Sequence, residues 1–250
     1  MYDDDPSVFD TEAGLDSPLD RLDPVDSETN PPPDPKAMLA LLSSPEAQQR
    51  MLAARAFCQL QYPPAIPLLI KLLQDVCPLI RVSAAYALGR NPSTEAVGAL
   101  IKQLDTDWNG YVRKGITWAL GNCQDSRTIE PLIQALRTDI AAVRLWAASS
   151  LAQAANLEYG DILKAIPPLI EGLRRDPVAA IRSNCAWSIG QLCRELPSNV
   201  VYATAIDALI EALVEDEDLG VKEDSRSALW RVGDPRGMQM IEDLELEGLI

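Results

Sequence analysis

Leu-Ile pairs recur along this chain at Leu69-Ile70, Leu100-Ile101, Leu132-Ile133, Leu169-Ile170 and Leu209-Ile210. Twelve or thirteen residues after each leucine stands a base: Arg81, Arg113, Arg144, Arg182 and Lys222. Arg50 takes the same place in an additional unit upstream, so the bases lie 31, 32, 31, 38 and 40 residues apart. A period of this length marks a stack of small supersecondary units, none of which can bury its apolar face alone. Each unit reads as two short helices, A and B. Apolar residues at helical spacing form Leu68-Leu69-x-x-Leu72-Leu73 in the first and Ile80-x-x-x-Ala84-x-x-x-Leu88 in the second. Between A and B lies a turn containing an acid: Asp75, Asp105 with Asp107, Asp139, Asp176, and the run Glu215 to Asp218.

Composition agrees. Apolar residues make up 47% of the 250, but aromatics only 5%, and the weight on Ala, Leu and Ile favours helix. No apolar run approaches the ~18 residues of a membrane span, and Met-Tyr-Asp-Asp-Asp is the opposite of a signal-peptide start. A soluble, cytoplasmic protein is expected. The net charge of −15 is unevenly spread. Residues 1–34 carry eleven acids and one base, and residues 211–250 carry twelve acids and four bases. The middle, 35–210, is therefore left at +3. The first segment is too polar to bury a core and ends in Pro31-Pro32-Pro33-Asp34-Pro35. Residues 1–35 are thus expected to be a disordered acidic tail and 36–250 the repeat array.

There is no histidine, which removes Ser-His-Asp and Cys-His catalysis and every His-containing metal site. Cys58, Cys77, Cys123, Cys185 and Cys193 form no Cys-x-x-Cys and read as reduced thiols. Cys58 is expected on an exposed side, Cys123 and Cys193 just past their helices, and Cys185 facing the core. A cluster usually draws four thiolates together, so no cluster site, metal or cofactor is expected. Dense basic runs are absent, which disfavours nucleic acid.

The pattern Ala65-Ile66-Pro67-Leu68-Leu69-Ile70, acid turn, Ile80-Arg81, then Tyr86-Ala87-Leu88-Gly89 resembles a HEAT repeat. More narrowly it resembles the short HEAT repeats of the cyanobacterial phycobilin lyase group. With its acidic tail the chain is most similar to cyanobacterial HEAT-repeat proteins that interact with an A-type iron-sulfur carrier. The resemblance implies an all-α, right-handed α-solenoid of about six helix pairs that binds a protein, with such a carrier as partner. The alternative it leaves open is a lyase-type or chaperone subunit acting on a phycobiliprotein, although no general acid or nucleophile is identifiable. Deoxyhypusine hydroxylases, HEAT enzymes that hold iron through His-Glu motifs, are excluded by the missing histidine. The repeated acid and base are expected to stitch neighbouring repeats rather than to catalyse, because a catalytic site would be unique.

Local signals fit the same frame. Pro67, Pro131 and Pro168 are expected in the first turn of A helices. Gly89, Gly121 and Gly190 share one place near B-helix ends, where close approach or a cap favours glycine. Asn156 to Gly160 is an insertion that should lengthen a loop or a B helix. With the base as position zero, −1, +3 and +7 of each B helix face the core, and +5 points away. The +5 column is Arg55, Tyr86, Trp118, Ser149, Trp187 and Ser227, on helices that line the concave surface of HEAT solenoids. Its aromatics are either a partner-binding ridge or covers lying flat over inter-repeat seams. Trp146, at +2, is expected to pack and Trp108 to dock its turn. Arg55 and Lys114 are expected to put positive charge on the partner face, where the acidic tail could fold back and compete.

Overall fold

A computed structural model describes residues 33–248, and the expected tail lies almost wholly outside the described residues. Thirteen α-helices follow one another and no strand occurs among the described residues. Six antiparallel pairs are α1 (Pro35–Leu41) with α2 (Ala47–Ala56), α3 (Ile66–Leu72) with α4 (Pro78–Arg90), α5 (Thr94–Thr106) with α6 (Gly110–Asn122), α7 (Ile129–Thr138) with α8 (Ala141–Leu151), α9 (Tyr159–Arg175) with α10 (Ala179–Cys193), and α11 (Val200–Glu215) with α12 (Leu219–Val232). A last helix, α13 (Pro235–Leu246), packs on α11 and α12. The B helices α2, α4, α6, α8, α10 and α12 form one layer, each touching the next; the A helices form the other. One continuous core of Leu, Ile, Val and Ala runs from Leu42 to Leu244 between the layers.

The B layer is drawn together by small residues. A methyl group added to Gly89 would lie 2.3 Å from the Trp118 ring, and one on Gly121 or Gly190 would meet Ser150 or Ala228 of the following B helix at 2.7 and 2.8 Å. Close approach, rather than a cap, is thus why these positions are glycine, and all three lie inside their helices. The left-handed cap occurs instead at Gly233 (φ 72°), which ends α12 with its N–H bonded to the Leu229 carbonyl.

Pro67 and Pro131 fall in the first turns of α3 and α7, but Pro168 does not begin a helix. The insertion Asn156 to Gly160 begins at the end of a 3₁₀ segment, Ala152–Asn156, and runs into the start of α9, so it lengthens an A helix rather than a B helix and leaves Pro167 and Pro168 inside a 17-residue helix. Two intrahelical hydrogen bonds are necessarily missing there. One further feature, unmarked by any repeat signal, is the buried Asn91. Its Nδ2 donates to the carbonyls of Phe57, Leu60 and Ala87, and its Oδ1 accepts from the Tyr62 N–H, so one side chain clasps the connection between the first two pairs.

Candidate functional site

The repeated base and acid form a ladder along one edge of the array. Arg50, Arg81, Arg113, Arg144 and Arg182 pair with Asp75, Asp107, Asp139, Asp176 and Asp216, at 2.6 to 2.8 Å. In every case the acid belongs to the following repeat. Each arginine also donates Nη1 to a carbonyl of its own turn: Ser44 and Pro45, Asp75, Asp107, Asp139, and Asp176. Four of the acids accept a backbone N–H two residues on, at Cys77, Asn109, Val178 and Asp218. Burial opposes ionisation of Asp107 more than any other single influence. Hydrogen bonds from Arg81, Gln103 and the Asn109 N–H together outweigh it, so the carboxyl sits below its ordinary 3.8. Asp75 and Asp216 are lowered by the same balance, with Arg50 and Arg182 as donors. Acid and base saturate one another, and the ladder is structural.

The +5 column lies on the opposite side of the B helices. In α4 and α6 every position from +1 to +8 is buried except Tyr86 and Trp118, which are half-buried. Their ring centroids are 5.5 Å apart, with planes inclined at 37°, and Trp118 also lies over Gly89. Ser149, Trp187 and Ser227 are half-buried, and Arg55 is exposed. The column takes one residue from each B helix in turn. Between α8, α10 and α12 it opens into a depression of about 350 Å³ lined by Ser149, Asn184, Trp187 and Asp224. Asn184 Nδ2 donates to Ser149 Oγ at 2.8 Å and to the Leu145 carbonyl at 3.2 Å, and Asp224 accepts from Ser183 Oγ.

Three side chains stand elsewhere than expected. Lys114 is only 1% exposed, with Nζ 5.5 Å from the centre of the Trp146 ring; it braces α6 against α8 and brings no charge to the partner face. The +1 place is apolar at Val82 and Leu145, which was the available signal. Trp108 is not docked: it is 76% exposed and lies over the Arg81 guanidinium, 5.9 Å from ring centre to guanidinium carbon. Cys58 is half-buried, its Sγ within hydrogen-bond range of the Ala54 and Ser83 carbonyls. It occupies +8, the same seam place as Gly89, Gly121 and Gly190. Burial pushes the Cys58 and Cys193 thiols up to about 12 and also raises Cys123 and Cys185. Among the described residues no group of three or more Cys, Asp or Glu could hold a metal ion, and no helix is long and apolar enough to cross a membrane.

A two-layer stack of helix pairs, joined by an inter-repeat ion-pair ladder, defines an α-solenoid suited to binding proteins. The model for HEAT repeats matches residues 35–120 and 97–190, more than half of the chain, and the chain belongs to that family. Among solved structures it is similar to an engineered protein (23% identity, TM-score 0.60, covering 80% of this chain and 98% of that one). A designed armadillo repeat protein in complex with the peptide (KR)4 matches at 21% identity and TM-score 0.58, over 79% of this chain and 98% of that one. The complex of CpcE and CpcF of phycocyanin lyase from Nostoc sp. PCC7120 matches at 21% identity and TM-score 0.58, covering 88% of this chain and 85% of that one. At these identities the likeness is one of fold.

Proposed function

We propose that the chain is a non-catalytic scaffold that binds a protein along the column Arg55, Tyr86, Trp118, Ser149, Trp187 and Ser227, and that the partner is an A-type iron-sulfur carrier whose cluster the array holds or shields. The observation that carries the binding reading is the contrast within α4 and α6, where between +1 and +8 only +5 opens to solvent and is filled by Tyr86 and Trp118. Large aromatics give contact area at small entropic loss. The carrier as partner rests on the sequence resemblance to carrier-interacting HEAT proteins.

Calorimetry with a purified A-type carrier, apo and cluster-loaded, tests both parts. Trp187→Ala is expected to weaken binding by about 1–3 kcal/mol, as for a hot-spot aromatic, with helical circular dichroism unchanged. Trp118→Ala should weaken it similarly but also loosen the seam over Gly89. Normal carrier binding by Trp187→Ala would remove the column, and absence of binding by the wild-type protein would remove the carrier.

The enzymatic alternative, bilin attachment to or detachment from a phycobiliprotein, is supported by the repeat-level resemblance and by the fold shared with the CpcE–CpcF complex. Against it stand the lack of histidine and thiols that burial holds protonated. Thioether-linked bilin on a phycobiliprotein after incubation with this protein would overturn the scaffold reading.

A further inference from the structure

A cation beside an indole occurs twice in this chain: the Trp108 ring lies over the Arg81 guanidinium, and the Trp146 ring faces the Lys114 ammonium. Trp118 packs against Tyr86. Of the five tryptophans, Trp187 and Trp230 have neither a ring nor a cation beside them among the described residues, and of these two it is Trp187 that lines a depression, together with Asp224. That acid breaks the repeat. Place +2 of the B helices carries Leu52, Ser83, Gly115, Trp146, Asn184 and Asp224, so a charge stands there once. Asp224 has no ion-pair partner among the described residues, and Arg226 of the same helix pairs instead with Glu223 and Glu245. The hydrogen bonds around the depression leave it rich in acceptors. Asn184 Nδ2 gives its hydrogens to the Leu145 carbonyl and to Ser149 Oγ. A carbonyl can only accept, which fixes the orientation of the amide and leaves Asn184 Oδ1 unbonded among the described residues. The Ser149 hydroxyl donates to the Leu145 carbonyl, and the Ser183 hydroxyl donates to Asp224 Oδ2. Apart from the Trp187 N–H, the polar capacity left in the lining is therefore an amide oxygen and a carboxylate oxygen, Asp224 Oδ1, beside the electron-rich face of an indole.

We propose that this depression receives an arginine side chain of the protein partner, its guanidinium stacked on Trp187 and donating to Asp224 Oδ1 and Asn184 Oδ1. The inference rests on the partner-binding reading of the column and adds to it the chemistry of one contact. A guanidinium carries five donors and no acceptor, lies flat on aromatic faces and gives up water more readily than an ammonium, so it complements each of these groups. An anionic side chain would meet Asp224 with like charge, and an apolar one would leave Asp224 and Asn184 without partners. No base of this chain competes for the place, because +2 and +5 of α8, α10 and α12 are Trp146, Asn184, Asp224, Ser149, Trp187 and Ser227. The volume of about 350 Å³ lies at the small end of the ~300–1,000 Å³ range of ligand clefts, which suits one side chain.

The test titrates the isotope-labelled full chain with acetyl-arginine methylamide while the indole N–H resonances are followed by NMR, Trp187→Phe serving to assign that of Trp187. Saturable movement of the Trp187 resonance is expected, with a dissociation constant on the order of 1–10 mM for one side chain at an open site. The citrulline analogue, which keeps the shape without the charge, should bind roughly tenfold more weakly. Asp224→Asn should also weaken the arginine probe roughly tenfold. Its amide oxygen can still accept from Ser183, so circular dichroism should be unchanged. Glu223→Gln removes the same charge one residue earlier, outside the depression, and should leave the affinity as it was. No saturable movement at Trp187, equal binding of arginine and citrulline, or equal losses from Asp224→Asn and Glu223→Gln would each overturn the inference. The titration needs no partner, so its failure is distinct from that of the column, which falls if Trp187→Ala binds the carrier normally. Carrier binding that needs Trp187 but is unaffected by Asp224→Asn would remove the arginine and keep the column.

Discussion

The interior repeats and the last one are built from the same pattern but meet different neighbours. At the ladder place Arg81 is 7% exposed and held by Asp107 from the following turn, whereas Lys222 has no following A–B turn and donates to the Val214 carbonyl of its own. The +8 place tells the same story. Gly89, Gly121, Ala152 and Gly190 are buried there, while the last repeat carries Trp230, 62% exposed. A small residue is needed only where another B helix presses on the seam, and an arginine only where another turn supplies its carboxylate. What appears in the sequence as a repeat is therefore a set of interfaces. The final unit departs from the pattern because the single helix α13 packs on it in place of a further helix pair, so among the described residues no following A–B turn or B helix meets it.

The largest expected effect is at an interior rung. Asp107→Ala leaves the Arg81 guanidinium buried without its carboxylate and should cost about 3–5 kcal/mol, the penalty for breaking a buried pair. Lys222→Met should change stability by less than about 0.5 kcal/mol, as for an ordinary surface substitution. Urea denaturation of both variants checks this, and equal midpoints would abolish the distinction between interior and end. A smaller effect, of opposite sign at two sites, sharpens the seam argument. Gly89→Ala drives a methyl into the Trp118 ring and should cost about 1–3 kcal/mol as overpacking. Gly98→Ala, inside α5 with open space around its Cβ, should stabilise by about 0.5–1 kcal/mol through helix propensity. The smallest effect concerns acid. Asp75, Asp107 and Asp216 have depressed folded values, so their contribution is present above the ordinary 3.8. It is lost as pH falls through the folded values below it. Thermal melts of the wild type should show midpoints falling most steeply in that range, and Asp107→Asn should flatten the dependence.

Where one residue type does one job in every repeat, it was legible from sequence. The ladder arginines and their acids recur at a fixed interval after the Leu-Ile pair, and burial selects both, so periodicity exposes them. Lys114 and Cys58 escaped because each was read by its own chemistry rather than by its column. At +1 the neighbouring repeats carry Val82 and Leu145, and at +8 they carry glycine or alanine; the columns mark both places as interior. Pro168 escaped for a different reason: an insertion upstream moved the start of α9 without moving the motif. Asn91 acts once and has no counterpart to reveal it. The +5 column was found by helical phase alone, which places side chains on a face but says nothing of what that face meets.

The ladder also has a direction. Each arginine is made before its aspartate, by 25, 26, 26, 32 and 34 residues from Arg50 to Arg182. As the chain leaves the ribosome, every finished helix pair therefore waits with a guanidinium bonded to its own turn but still without its carboxylate until the next turn emerges, and pairs lock in order behind the growing end. Only Lys222 waits for nothing, because its carbonyl partner, Val214, lies eight residues upstream. A ribosome stalled before Asp216 would hold a solenoid whose last ladder arginine, Arg182, still lacks its carboxylate.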